Sequence, residues 1–346
     1  MTKRERVLNA IEWKPADVPA AMIYFTEVGL YEHGEKIRDL MKSVDADFGP
    51  VPDFPVPKIP LHAVDENGKY YELYTDEWGV KWEYRIFKMM GHALEKPLED
   101  IKKVHNYTLP SCPVPAAGTN EFKQRKNYFS EFRKTYWHNE SGGGIFERML
   151  ALCNFEELLE NLYDDTEEIN LLADKICAYN EELIAHNLAL NPDSIQFGDD
   201  FGMQSTMMIS PDMFRSFFKP RYEKLIKPIK EAGKKVFFHS CGHNLPVLKD
   251  FKEIGVDAIW PQLTAYDLTT LADACKALKL AIYIHPDRAG LMTSGTPEQV
   301  EQKLYEYNDI FKPRGGGSFF YLEVDNGFPY ENIVALAETV KKMRFQ

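Results

Sequence analysis

The sequence predicts an α/β protein, a (β/α)8 TIM barrel with an N-terminal β-hairpin elaboration. Short apolar runs alternate with longer amphipathic segments through the second half of the chain, which is typical of parallel strands joined by helices. The number of candidate strands, eight, matches such a barrel. A doubly wound open sheet is the alternative, but the chain has no Gly-x-Gly-x-x-Gly motif to support a dinucleotide site. We expect one domain over residues 1–346 without a linker, a length that barrels of this kind reach.

The candidate strands are short apolar segments, and the segments between them have helical spacing. The strands are predicted at residues 20–25, 46–48, near 144, 195–197, 236–239, 258–260, 281–284 and 318–324. Helices are predicted at residues 3–13, 31–44, 155–190 (a pair), 210–232, 245–254, 268–277, 296–310 and 329–343. Residues 69–86 alternate aromatic and polar side chains around a Gly-containing turn, which predicts the β-hairpin.

Composition restricts the classes of partner. The net charge of −12 disfavours binding to nucleic acid or to an anionic membrane surface. No apolar run approaches the ~18 residues of a membrane span, and the charged N-terminal segment lacks the apolar stretch of a signal peptide. The five cysteines are odd in number and scattered, so we expect reduced thiols in a cytoplasmic protein.

A metal-type pair follows one of the predicted strands. His239 and Cys241 are two residues apart, so they project to the same face at the end of the strand over residues 236–239. Imidazole and thiolate are ligands that zinc accepts. Gly242 then allows the backbone to turn away. The alternative is a buried thiol beside a hydrogen-bonded histidine. His243 is either a fourth candidate ligand or an exposed loop residue.

Carboxylates also follow predicted strands, at the edge where barrel active sites lie. Asp199 and Asp200 come after the strand over residues 195–197; we expect Asp199 to cap a helix and Asp200 to face a ligand, and roles as general base or substrate acceptor stay open. In the last strand Glu323 shares a face with Phe319 and Tyr321. A buried carboxylate needs a partner, which is either a metal shared with His239 and Cys241 or the guanidinium of Arg288.

Several motifs, taken in order, resemble the uroporphyrinogen decarboxylase superfamily over nearly the whole chain. They are Arg4-Glu5-Arg6-Val7-Leu8, Ala16-Asp17-Val18-Pro19, Asp76-Glu77-Trp78-Gly79, Phe197-Gly198-Asp199-Asp200-Phe201-Gly202, Ile209-Ser210-Pro211-Asp212-Met213-Phe214, His239-Ser240-Cys241-Gly242, Gly255-Val256-Asp257-Ala258, Gly315-Gly316-Gly317 and Tyr330-Glu331-Asn332-Ile333. The family fold is a (β/α)8 barrel, which agrees with the strand count.

The resemblance separates two branches. True decarboxylases carry an arginine-rich segment after the first strand to hold substrate carboxylates, whereas residues 20–31 contain no Lys or Arg. The other branch, corrinoid-dependent methyltransferases, bears the His-x-Cys pair, and its coenzyme M methyltransferases complete the zinc site with a cysteine late in the last strand. This chain has no cysteine there, and Glu323 is the nearest replacement. An oxygen ligand favours polarising an oxygen over activating a thiolate.

The resemblance therefore implies a zinc-dependent methyltransferase that moves a methyl group between a small methylated substrate, of the aryl methyl ether or methylamine type, and a corrinoid protein. The implied cofactors are Zn²⁺ and the corrinoid (cobalamin) of that partner. His239, Cys241 and Glu323 would hold the zinc. Asp200 and Tyr321 would orient the substrate as catalytic residues. The substrate-binding candidates are Tyr24, Phe25, Asp199 and Phe319, although aromatic residues could equally be ordinary core.

Two other functions remain open at this point. One is a metal-independent decarboxylase of a small or tetrapyrrole carboxylic acid, and the other is a non-catalytic barrel that binds a tetrapyrrole or a corrinoid protein. The sequence does not decide whether Glu147 or His285 reaches the pocket. It also leaves the oligomeric state open, with a homodimer as one option.

Overall fold

The computed structural model describes residues 1–51, 53–89 and 91–346. The strands in these residues are β1 (Ala21–Phe25), β2 (Glu72–Thr75), β3 (Lys81–Tyr84), β4 (His92–Glu95), β5 (Asn139–Gly143), β6 (Ser194–Gly198), β7 (Lys235–Ser240), β8 (Ala258–Pro261), β9 (Ala281–Ile284) and β10 (Ser318–Val324). The predicted alternation of strands and helices is confirmed, and the protein is of the α/β class.

The helices follow the strands along most of the chain. They are α1 (Lys3–Ile11), α2 (Glu27–His33), α3 (Glu35–Lys42), α4 (Asn120–Phe132), α5 (Phe146–Leu152), α6 (Phe155–Asp164), α7 (Glu167–Ala189), α8 (Pro211–Met213), α9 (Lys219–Glu231), α10 (Leu248–Glu253), α11 (Leu268–Leu278), α12 (Leu291–Ser294), α13 (Pro297–Phe311) and α14 (Tyr330–Phe345). A wider helical turn over Phe214–Phe218 joins α8 to α9.

The chain divides into two compact units. Unit 1 comprises Met1–Lys58, Tyr128–Asn139 and Val256–Gln346, and unit 2 comprises Ile59–Asn127 and Glu140–Gly255. The prediction of a single domain over residues 1–346 stays a prediction. In the residues that the structure describes, no helix combines the length and the apolar character needed to cross a membrane.

Unit 1 contains four parallel strands in the order β1, β10, β9, β8. The register pairs Tyr24 of β1 with Glu323 of β10. Every residue of β9 and of β10 is buried, as expected for parallel strands covered on both faces. The carboxyl ends of β1 and β10 therefore lie side by side.

The predicted strand at residues 46–48 does not form, which is a correction to the count of eight. The described part of the chain has one sheet of seven strands and a separate antiparallel sheet of three strands. Residues 46–48 nevertheless run beside β1, because the N–H of Asp47 donates to the carbonyl of Ala21 at 2.8 Å. The N–H of Trp137 donates to the carbonyl of Asp47 at 3.1 Å on the other side. The carboxylate of Asp47 accepts hydrogen bonds from Arg344 and from the N–H of Ala21. These contacts hold the segment beside β1 without a regular ladder.

Unit 2 contains β6 and β7 as a parallel pair, with β5 next to β6. It also contains a three-stranded antiparallel sheet in the order β2, β3, β4. The predicted hairpin is confirmed as β2 and β3, and β4 was not predicted. Asp76 closes the turn, because its Oδ1 accepts from the N–H groups of Trp78 and Val80.

Two predicted helices differ from the structure. The predicted helix at residues 31–44 is two helices, α2 and α3, separated by Gly34 with a φ of +65°. A glycine adopts that conformation at little cost, so the chain turns there and the helical ladder is interrupted. The predicted helix at residues 210–232 is interrupted by the wider turn between α8 and α9. The helical pair at residues 155–190 is confirmed as α6 and α7.

Candidate metal centre and adjoining cavity

The carboxyl ends of β6 and β7 lie beside each other in unit 2. Their register pairs Gly198 with His239, so the residues after Gly198 emerge next to His239 and Cys241. The main-chain N–H of Asp199 donates to the carbonyl of His239 at 3.0 Å and extends the pairing by one residue. This geometry brings Asp200 to the predicted His-x-Cys pair.

Asp200, His239 and Cys241 form a group whose ligand atoms all lie within 4.8 Å of one another. Sγ of Cys241 lies 3.4 Å from Nε2 of His239. Nε2 of His239 lies 3.5 Å from Oδ1 of Asp200. The side chains of His239 and Asp200 are 21% and 31% exposed, so the group is accessible to a small molecule. One nitrogen, one sulfur and one oxygen donor fit zinc, which catalytic sites bind with three protein ligands and one open position.

Backbone contacts hold the loop that carries Cys241. The N–H of Cys241 donates to Oδ1 of Asp200 at 2.7 Å. Gly242 has a φ of +71°, and a Cβ at this position would lie 2.2 Å from the main-chain carbon of Gly202. The side-chain amide of Asn244 donates to the carbonyl of Cys241 at 2.9 Å. The loop is therefore fixed against the segment that follows Asp200.

Asp199 has a different role. Its carboxylate is fully buried and accepts from the N–H groups of Ile145, Phe146 and Glu147 at 2.6–2.9 Å, and from the hydroxyl of Tyr222 at 2.5 Å. Burial raises its pKa to about 6, while these hydrogen bonds oppose the shift. The arrangement is the helix cap expected for Asp199, at the start of α5. Its assignment as a substrate-binding residue stays a prediction.

Glu147, the second residue of α5, lines a cavity of about 720 Å³ in unit 2. Burial, together with the nearby carboxylates of Asp200 and Asp199, raises the pKa of its carboxyl to about 8, and Arg148 opposes the shift. The side chain is therefore largely protonated at neutral pH. Gly198, immediately before the two aspartates, also lines the cavity. The candidate metal centre and the cavity thus share the same strand end.

The walls of this cavity are aromatic and come partly from the three-stranded sheet. They include Tyr74, Trp78, Trp82, Tyr84 and Tyr179. The rings of Trp78 and Tyr179 pack edge to face at 4.7 Å. The guanidinium of Arg148 lies 4.3 Å over the ring of Trp78. A cavity of this volume and lining is of the size that binds a small organic molecule.

Glu323 and Tyr321 lie in unit 1, near the end of β10. Nη1 of Arg288 lies 3.6 Å from Oε1 of Glu323, which is the ion pair considered as the alternative partner. Burial raises the pKa of Glu323 to about 7, and Arg288 opposes the shift. In the described residues, the group of close metal-type ligands around His239 and Cys241 contains Asp200 and not Glu323. The role of Glu323 as a zinc ligand stays a prediction.

The aromatic candidates of unit 1 divide by burial. Tyr24 is 47% exposed and stacks on Tyr321, with the ring centroids 6.4 Å apart. Phe25 is half-buried at the end of β1. Phe319 is fully buried and packs on Phe48 and Tyr283, with centroids 5.3 and 4.4 Å away. Phe319 thus belongs to the aromatic core, and the substrate contacts predicted for these residues stay predictions.

Two residues, Asp200 and Glu147, have positions that the sequence analysis did not predict. Asp200 was expected to face a ligand but not to join the metal group, because only the register of β6 and β7 places it there. Glu147 reaches the cavity, which the sequence left undecided. His285 lies in unit 1, with Nε2 at 2.8 Å from the carbonyl of Pro261 and Nδ1 at 3.2 Å from that of Pro286.

Fold and site together define an α/β protein with a nitrogen, sulfur and oxygen donor set at the carboxyl ends of parallel strands. The family model described as Uroporphyrinogen decarboxylase (URO-D) matches residues 142–343, which is more than half of the chain. The chain therefore belongs to the uroporphyrinogen decarboxylase family. No curated protein matches the chain.

A comparison with solved structures found similar chains at low sequence identity. A methyltransferase from Methanosarcina mazei superposes with a TM-score of 0.67 at 13% identity, covering 99% of each chain. A B12-independent methionine synthase from Shewanella sp. W3-18-1 has a TM-score of 0.45 at 10% identity, covering 91% of this chain and 86% of that one. A dihydropteroate synthase from Anaplasma phagocytophilum has a TM-score of 0.40 at 16% identity, covering 59% and 74%.

Proposed function

We propose that this protein is a zinc-dependent methyltransferase that moves a methyl group between a small methylated substrate and a corrinoid protein. The observation that carries the proposal is the Asp200, His239 and Cys241 group beside a cavity lined by aromatic side chains. The likeness to the Methanosarcina mazei methyltransferase, which extends over both chains, supports it at the level of fold. The (β/α)8 barrel predicted from the sequence stays part of the proposal.

Asp200, His239 and Cys241 are the residues that would hold the metal. Zinc supplies Lewis acidity for the oxygen or nitrogen that carries the methyl group. The hydrogen bond from the N–H of Cys241 keeps Asp200 oriented towards His239. Asp200 thereby takes the ligand position that the sequence analysis gave to Glu323. Glu323 remains the rival third ligand, and a zinc titration of variants distinguishes the two.

The cavity residues would bind the substrate and supply a proton. The aromatic walls, including Trp78 and Tyr179, fit an aryl methyl ether, whose ring packs on aromatic faces. Burial raises the pKa of Glu147 to about 8, which makes its carboxyl the proton donor we assign to the heteroatom that the methyl group leaves. The methyl group would pass to the reduced corrinoid of the partner protein and the proton of Glu147 would go to the released oxygen, so that the product would be the free phenol.

Decarboxylation is the second candidate, favoured by membership of the uroporphyrinogen decarboxylase family. Residues 20–31 contain no Lys or Arg to neutralise a polycarboxylate. The candidate applies to a smaller acid and requires no metal. The two functions therefore differ in their dependence on Cys241.

The test is methyl transfer to free cob(I)alamin from aryl methyl ethers and from methylamines, followed by its change in absorbance. The proposal predicts turnover with at least one donor, faster with the aryl ether, and loss of activity in Cys241→Ser and His239→Gln. The matched control is Cys275→Ser, which changes a buried thiol on α11 that is not a member of the metal group. No transfer from any donor, with carbon dioxide released from a small acid equally by Cys241→Ser, would establish the decarboxylase instead.

A further inference from the structure

A second cluster of metal-type side chains lies in unit 2, on residues that the candidate metal centre does not use. It consists of Cys112, Glu182 and His186, whose ligand atoms all lie within 4.8 Å of one another. Glu182 and His186 are four residues apart on α7 and therefore face the same way. Cys112 comes from the irregular segment that precedes α4. The cluster thus joins a helix to a segment without regular structure.

The hydrogen bonding of His186 suits a metal-binding histidine. Its Nδ1 lies 3.0 Å from the carbonyl oxygen of Val114. A carbonyl only accepts hydrogen bonds, so in the neutral ring Nδ1 carries the proton and Nε2 keeps its lone pair. Histidine ligands of metals commonly donate their other ring N–H to a backbone carbonyl in this way, which fixes the tautomer and the ring plane.

The chemistry of the three side chains suits a cation. A bound divalent ion would stabilise the thiolate form of Cys112 and pair with the carboxylate of Glu182. Cys112 and His186 are half-buried while Glu182 is exposed, so an ion can enter from solvent.

We infer that Cys112, Glu182 and His186 form a second metal site, which takes zinc or a divalent ion of similar preference. Thiolate, imidazole and carboxylate together are a zinc donor set, and a water completes the tetrahedron. The site does not depend on the proposed methyl transfer, since it shares no residue with Asp200, His239 and Cys241.

The position of the site indicates a structural role. Lys175 of α7 already donates to the carbonyl of Tyr107 at 2.7 Å, so the segment before Cys112 is tied to the same helix. Tyr179, one turn before Glu182, lines the cavity and packs on Trp78. A metal at Cys112 would fasten the segment to α7 near the cavity wall.

The experiment measures zinc in a protein whose first centre has been removed. Cys241→Ser should retain about one zinc per chain, and Cys241→Ser with Cys112→Ser should retain none. His105→Gln is the matched control, because His105 also pairs with a glutamate of α7, Glu168 at 3.6 Å, and this pair belongs to neither metal-type group of the described residues. In the Cys241→Ser protein, cobalt(II) should give a thiolate-to-metal absorption band that disappears on adding Cys112→Ser.

A second variant covers a failure of Cys112→Ser to fold. His186→Gln, made in the Cys241→Ser protein, should weaken zinc binding at least about tenfold in a chelator competition titration. Folding of each variant is checked by its circular dichroism. Zinc content and affinity that do not change with Cys112→Ser or His186→Gln would overturn the inference, whatever the methyltransferase activity of the parent protein.

Discussion

The backbone N–H of Cys241 donates a 2.7 Å hydrogen bond to Oδ1 of Asp200. One predicted metal ligand therefore orients the carboxylate that lies 3.5 Å from the other, His239. The contact arises because β6 and β7 are paired in parallel with Gly198 opposite His239. The donor set is thus assembled from two neighbouring strand ends of unit 2.

Replacing Asp200 tests which carboxylate is the third zinc ligand. We expect Asp200→Asn to weaken zinc binding at least about tenfold, because the amide keeps the hydrogen bond from Cys241 but loses the negative charge. The measurement is a competition titration with a metal indicator. Asp212→Asn, at an exposed side chain, is the control. Unchanged affinity in Asp200→Asn with weakened affinity in Glu323→Gln would restore the ligand set predicted from the sequence.

Gly242→Ala should destabilise the protein and loosen the centre. A methyl group here would meet the backbone of Gly202 at 2.2 Å, in addition to the strain of a positive φ, so the free energy of unfolding should fall by about 2–4 kcal/mol. Gly233→Ala is the matched control, since Gly233 has a φ of +70° with no atom near its Cβ position. Its loss should be about 1 kcal/mol in urea denaturation. Equal losses in the two variants would show that the close approach of the loops contributes nothing.

Glu147 should give the reaction a pH dependence. Its protonated form is the one proposed to donate, and its pKa is raised to about 8. We therefore expect kcat/KM for the methylated substrate to be constant below about pH 8 and to fall above it as the carboxyl ionises. Glu147→Gln should lower kcat/KM about 100-fold and remove this fall. Glu77→Gln, at another carboxyl of the cavity wall, should keep the profile. A Glu147→Gln enzyme with the parent profile contradicts the role.

Glu323 should make stability depend on pH. Its folded-state pKa of about 7 lies above the ordinary value of 4.5, so the folded protein holds the proton more tightly than the unfolded chain does. The stability contributed by protonated Glu323 is complete below about pH 4.5 and is lost as the pH rises through 7. We expect Glu323→Gln to be more stable than the parent at pH 8 by about 1–3 kcal/mol.

The control for Glu323 is Glu331→Gln, at an exposed residue of α14. The measurement is the free energy of unfolding in urea between pH 5 and pH 8. A parent and a Glu323→Gln protein with parallel pH curves would show that the ion pair with Arg288 already compensates the buried charge.

The pattern of the sequence was sufficient for the parts that depend on local spacing. His239 and Cys241 could be placed together because they are two residues apart in a strand, and the helical pair α6 and α7 follows from the helical spacing of residues 155–190. The motif order was sufficient for the family, which the family model confirms.

The remaining features depend on contacts between distant residues. Asp200 joins the metal group only because β6 and β7 pair with Gly198 opposite His239. The residues around Asp200 give no sign of that register. The strand pattern assigned Glu323 to a buried face but did not identify its partner. A metal ion and Arg288 could each pair with the carboxylate, and only the structure shows the contact with Arg288. The segment at residues 46–48 has strand-like composition, but the carboxylate of Asp47 accepts hydrogen bonds from Arg344 and from the N–H of Ala21, and no strand forms there.

The central claim is that Asp200, His239 and Cys241 bind zinc. Its most direct test is the zinc content of the Cys112→Ser protein, in which the second site is removed, beside the same protein carrying Cys241→Ser. We predict about one zinc per chain in the first protein and none in the second. A Cys112→Ser protein that holds no zinc, and takes up none when zinc is added, would contradict the claim and leave His239 and Cys241 as structural residues.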